Sequence, residues 1–109
     1  MAAESFRVLL QMRIHPGQAA AFEAEWRSGT AAVTGHPANL GQWLARSSSE
    51  EDTYFIVSDW VDETGFRAFE DSGAHVRHRE RLHAFRSSAT FATMQVVEQI
   101  EGAAADARR

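Results

Sequence analysis

Five histidines and eleven arginines carry most of the cationic and titratable chemistry of this chain, which has no lysine and no cysteine. Much of it is concentrated between Ala74 and Arg86. There His75, His78, Leu82 and Phe85 step by three, four and three, so two imidazoles share the apolar stripe of one helix. An imidazole titrates near neutrality and can act as acid, base or hydrogen-bond donor without special tuning. Two readings stay open for His75 and His78: satisfied histidines at the edge of a core, or at least one of them lining a pocket as a working group. A metal pair would need a third ligand that the pattern does not offer, so no metal site is expected. Arg77, Arg79 and Arg81 interleave with them. They are either a solvated basic face or include one or two side chains that reach an anionic substrate such as a phenolate or enolate.

Other chemistries are excluded by residue type. Without lysine there is no Schiff base, no lysine base and no P-loop; without cysteine there is no disulfide, thiolate ligand or thiol nucleophile. Ser47, Ser48 and Ser49 lie in a polar turn, not in a nucleophile elbow. No phosphate-cradling glycine loop or dinucleotide fingerprint is present, so a flavin, nicotinamide or ATP site would have to be built without its usual sequence signature. Of the three tryptophans, Trp26 falls on a helical stripe and reads as core, and Trp43 could face either side of its strand. Trp60 closes a strand where sheet meets helices, which suits a pocket wall for a flat aromatic ligand as well as it suits core packing.

The elements that must position these groups follow from periodicity. Phe6, Val8, Leu10, Met12 and Ile14 alternate on one face of a first strand, and His15-Pro16-Gly17 ends it. Ala19, Phe22, Trp26, Thr30 and Val33 then form a helical stripe, stopped by Gly35 and Pro37. Asn39 to Ser47 and Thr53 to Trp60 read as a hairpin around a serine-rich turn. Asp62 caps a short helix carrying Phe66 and Phe69, Asp71-Ser72-Gly73 breaks it, a helix from Ala74 to Arg86 follows, and Thr90 to Ile100 is a last strand. The order β-α-β-β-α-β, with the second helix broken, predicts an α+β ferredoxin-like split fold with a four-stranded antiparallel sheet. Helices on one face leave the other uncovered. An uncovered apolar face calls for a partner, most simply a second copy, so a homodimer is expected. The Phe6-to-Ile14 set is its surface if it faces away from the helices; otherwise the opposite face is.

At 109 residues and 12.1 kDa the chain reads as a single domain over 1–109, with its core at about 5–100 and a flexible tail at 101–109. Such a chain buries roughly two-thirds of its unfolded surface, enough for a core without staples. The net charge of −4 argues against nucleic acid as a partner. Apolar runs fall far short of the ~20 residues of a membrane span, and the N-terminus has neither a basic nor an apolar leader region. A cytoplasmic protein is the resulting expectation.

The strand ending in Trp60, then Asp62-Glu63-x-x-Phe66-x-x-Phe69, Ser72 and His75, resembles the antibiotic biosynthesis monooxygenase family, and the resemblance covers about residues 5 to 100. It is nearest to the small members of aromatic-polyketide and spore-pigment clusters. The resemblance implies a dimeric α+β barrel with a pocket between sheet and helices. It also implies an oxidoreductase that turns an anthrone-type phenol into a quinone with O₂ as co-substrate and no metal, flavin or haem. On that resemblance Trp60 lines the pocket and Arg79, or Arg81 with a one-residue offset, contributes from the late helix. The family's polyketide members often carry Asn four residues before that Trp and Tyr six after it; this chain has Ile56 and Phe66. The haem-degrading branch uses an Asn, a Trp and an axial His, where this chain has Gln11, Phe69 and His78. The expected site is therefore His75, His78 and Arg79 as catalytic groups, with Trp43, Trp60, Phe66, Phe69 and Arg81 around the substrate. A polyketide cyclase or aldol-type enzyme of the same fold, and a non-catalytic dimeric ligand-binding protein, are the alternatives.

Overall fold

The computed structural model describes residues 4–108. Strand β1 (Ser5–Ile14) leads through Gly17, at φ +81°, into helix α1 (Ala19–Thr34). Strands β2 (Asn39–Arg46) and β3 (Thr53–Trp60) form the hairpin. Helices α2 (Glu63–Glu70) and α3 (Gly73–His83) follow, and β4 (Arg86–Val96) closes the sheet. All pairings are antiparallel and the sheet order is β2-β3-β1-β4, which is the ferredoxin-like arrangement with its second helix split in two. The split has a local cause. Asp62 accepts from the Gly65 N–H to start α2, and Ser72 accepts from the His75 N–H to start α3, so each short helix has its own cap.

The alternating set of β1 faces the helices. Phe6, Val8, Met12 and Ile14 are buried, and they share the inner face with Tyr54, Ser58 and Trp60 of β3. It is therefore not the surface left for a second copy. The uncovered face carries Leu9, Phe55, Val57, Trp43 and Met94, crossed by an Arg7–Asp59 ion pair at 2.7 Å. The inner face holds two apolar clusters. One joins Phe6, Val8, Val33, Trp60, Phe66 and Phe69; the other joins Met12, Ile14, Phe22, Tyr54 and Leu82. Of the predicted α1 stripe, Phe22 and Val33 are buried, while Ala19, Trp26 and Thr30 are half-buried.

Two boundaries differ from expectation. Helix α3 stops at His83, and β4 begins at Arg86 instead of Thr90 and ends at Val96 instead of Ile100. The partner strand explains both ends of β4: Arg86 pairs with Ile14 and Val96 with Ser5, the two ends of β1. Beyond Val96 no strand remains to pair with among the described residues, and Val97 and Ile100 are exposed. A 3₁₀ turn spans Ala103–Arg108, within the expected tail. Among the described residues no helix is long and apolar enough to cross a membrane.

Candidate active site

Between the inner sheet face and the helices lies a cavity of about 360 Å³. The sheet supplies Val8, Leu10, Met12, Ile56 and Trp60 as its floor, with Phe91 of β4 at its open side. Helix α1 adds Trp26 and Val33, α2 adds Phe66 and Phe69, and α3 adds His75, His78, Arg79 and Leu82. The walls are thus mostly aromatic and aliphatic; α3 supplies the imidazoles and Arg79, and Gln42, Ser58, Glu70, Arg86 and Thr90 add polar groups from the other elements.

Trp60 is fully buried at 0% exposure. Its indole N–H donates to Ser58 Oγ at 2.9 Å, and its ring lies 4.7 Å from Phe69 and 5.5 Å from Phe66, centroid to centroid. Satisfied in this way, it offers the cavity a surface and not a donor. His36 from the α1–β2 connection packs edge-on against Trp60 and Phe69 and closes the back of this aromatic group.

The two imidazoles of α3 are in a different condition. His78 is buried and His75 is half-buried, its ring centroid 4.5 Å from that of Phe69 at a tilt of 54°. Nδ1 of each is buried without a hydrogen-bond partner among the described residues. Burial pushes both rings below the ordinary imidazole range. Arg79 and His78 reinforce this for His75 while Glu70 opposes it, and Arg81 reinforces it for His78 while Glu25 opposes it. Both rings are therefore neutral at physiological pH.

Arg79 is exposed at the rim and has no carboxylate partner among the described residues. One turn further along α3, His83 also reaches the rim, and its Nε2 accepts from the Arg86 guanidinium at 2.7 Å. His83 and Arg86 were not expected there. The signal for His83 was its spacing of four from Arg79; Arg86 reaches the rim because β4 starts early.

Of the residues singled out by sequence, the fold brings His75, His78, Arg79, Trp60, Phe66 and Phe69 around one space. Two lie elsewhere. Trp43 is on the opposite face of the sheet, half-exposed, with the Arg7 guanidinium over its ring. Arg81 turns to α1 and pairs with Glu25 at 3.4 Å. No three His, Asp or Glu side chains converge on a metal-sized point among the described residues.

The fold has many known counterparts. SnoaB from Streptomyces nogalater, a cofactor-independent oxygenase, superposes with a TM-score of 0.81 at 18% identity, covering 92% of this chain and 100% of that one. A single-residue variant of SnoaB gives 0.82 at 17% identity with the same coverage. A candidate antibiotic biosynthesis monooxygenase from Caulobacter crescentus gives 0.80 at 18% identity, covering 87% of this chain and 92% of that one. At these identities the likeness is one of fold. No curated protein matches the chain. The sequence model of the antibiotic biosynthesis monooxygenase domain, however, matches residues 5–81, a stretch that runs from the start of β1 to Arg81 of α3, and the chain belongs to that family.

Proposed function

We propose that the protein is a cofactor-independent monooxygenase that oxidises a phenolic, anthrone-type aromatic polyketide to a quinone with O₂. The observation that supports this reading is the cavity itself: an aromatic-walled space lined from α3 by two imidazoles whose protonation burial disfavours and by an arginine with no carboxylate partner among the described residues. Similarity in fold to SnoaB, a cofactor-independent oxygenase, points the same way.

The chemistry asks little of the protein beyond placement and charge. An anthrone is acidic enough to lose a proton to a weak base. The resulting carbanion passes an electron to O₂, and the two radicals recombine to a peroxide. Loss of water from the peroxide leaves the ring CH₂ as a carbonyl, so one oxygen atom enters the product and the other leaves as water. Arg79 stabilises the anion at the rim, His75 and His78 meet the substrate's oxygens, and Trp60, Phe66 and Phe69 hold the ring flat and dry. Trp43 and Arg81 stand outside this arrangement.

Metal-stripped protein incubated with a simple anthrone, in air and without oxygen, tests the reading. Quinone formation that depends on both protein and O₂ is the expected result. An oxygen-independent product would indicate a cyclase or aldol-type enzyme, and tight binding without turnover a ligand-binding protein; either outcome would sink the oxygenase reading.

We also propose a homodimer built on the uncovered sheet face, where Trp43 is 50% and Met94 37% exposed. A monomer mass by light scattering at micromolar concentration would refute it.

A further inference from the structure

Gly29 lies on the buried side of α1, opposite His78 of α3. A Cβ at this position would overlap the imidazole: Cγ would lie 2.7 Å away, and Nδ1 and Cε1 closer still. The ring therefore rests with its Nδ1 edge against the bare Cα of Gly29. Nδ1 has no acceptor there among the described residues. A proton on Nδ1 would be a buried donor with nothing to donate to, whereas an unprotonated Nδ1 only forgoes an acceptance. The neutral ring consequently carries its proton on Nε2. Nε2 is not among the three ring atoms nearest to that Cβ, and His78 lines the cavity.

We propose that Gly29 is a positioning residue that seats His78 as a neutral Nε2–H donor toward a substrate oxygen, so that His78 binds a developing oxyanion and does not remove the proton. To act as a base, Nε2 would need its lone pair free, which requires the proton on the orphaned Nδ1. The charged neighbours agree with a neutral donor. Arg81 of α3 disfavours a second proton, Glu25 of α1 only partly offsets it, and burial disfavours it most. This assignment rests on the reading of the cavity as the substrate site, but its first test does not.

Nitrogen-15 NMR of the histidine rings in substrate-free protein reads the tautomer directly. At neutral pH, His78 is expected in one Nε2–H form, and Gly29→Ala is expected to push the ring out and give mixed tautomers. A dominant Nδ1–H form in the parent protein would overturn the proposal. Turnover gives the second test. His78→Gln keeps an N–H near the Nε2 position and is expected to stay within about threefold of the parent, whereas His78→Ala loses about tenfold or more. Gly29→Ala is expected to cost a similar factor alone and nothing further in the His78→Ala background, where the ring it collides with is gone. A His78→Gln protein as impaired as His78→Ala would show a base and overturn the donor role. If the parent oxidises no anthrone, the substrate reading fails and the tautomer measurement alone decides on Gly29.

Discussion

The floor of the cavity and its α3 wall are built on opposite terms. On the floor, the ring of Trp60 is packed against Phe66 and Phe69 of α2, and its indole N–H has its acceptor in Ser58. On the wall, two imidazole nitrogens are buried without partners, and an arginine stands without a carboxylate, among the described residues. A buried polar atom left unsatisfied lowers stability, so the wall is held in place by what the floor gains from burial. The contrast separates a region that keeps the fold from one whose polar capacity is left open to a ligand.

The largest expected effect is on the floor. Trp60→Ala removes a fully buried ring from the centre of its cluster and strands the Ser58 hydroxyl. Such truncations cost about 3–5 kcal/mol, visible as a large drop in Tm and in the denaturant midpoint. A loss below about 1 kcal/mol would mean that the floor does not carry the fold in this way. Trp60→Phe keeps a stacking surface and is expected to act mainly through KM.

Next in size is the wall's charge. Arg79→Gln leaves packing intact because the side chain is exposed. It is expected to lower kcat by about ten- to a hundredfold on an anthrone substrate, since a counter-charge for the developing anion is lost. The deficit is expected to shrink at high pH, where solvent base already ionises the phenol. Full activity of Arg79→Gln would remove Arg79 from the site.

The same contrast marks what the sequence could disclose. Strict alternation in β1 and the stripe on α3 set the inner face and placed His78 beside Leu82, because burial imposes those periods directly. Trp43 was ambiguous for a definable reason. A register shift between Asn39 and Gly41, with Gly41 at φ +151°, resets the parity of β2, and parity read from Leu40 cannot survive it. The limits of β4 depend on where β1 ends, a fact of pairing and not of local composition. Gly29 gave no signal at all, since its role is defined by a ring 49 residues away that needs the space a side chain would fill.

A smaller effect follows from the neutral imidazoles. Burial lowers His75 and His78 in the folded state, while the unfolded chain returns them to about 6.5. Below that value the unfolded state binds more protons than the folded one. The contribution of the neutral rings is therefore present above about pH 6.5 and is lost as pH falls toward their depressed folded values. Denaturant midpoints measured from pH 7.5 downward are expected to decline through this window, and less steeply in His75→Asn. A midpoint that rises on acidification would mean that the rings take up protons in place.

The smallest effect is expected at Arg81, which tests where the wall ends. Its guanidinium reaches Glu25 at 3.4 Å, with side-chain exposures of 49% and 28%, so solvent screens the pair and its loss costs about 0–1 kcal/mol. Arg81 does not line the cavity, and substrate would not feel its charge at close range. Its one link to the site is indirect: it disfavours a proton on His78, so Arg81→Gln is expected to raise that group's pKa slightly. Turnover at neutral pH is expected to stay within about twofold, as for surface substitutions away from a site. Arg79 and Arg81 are two residues apart, and a helix turns them to opposite sides, so they cannot share one role. A large fall in kcat for Arg81→Gln with none for Arg79→Gln would mean that α3 meets substrate in a register offset by two residues, and the imidazole assignments would have to turn with it.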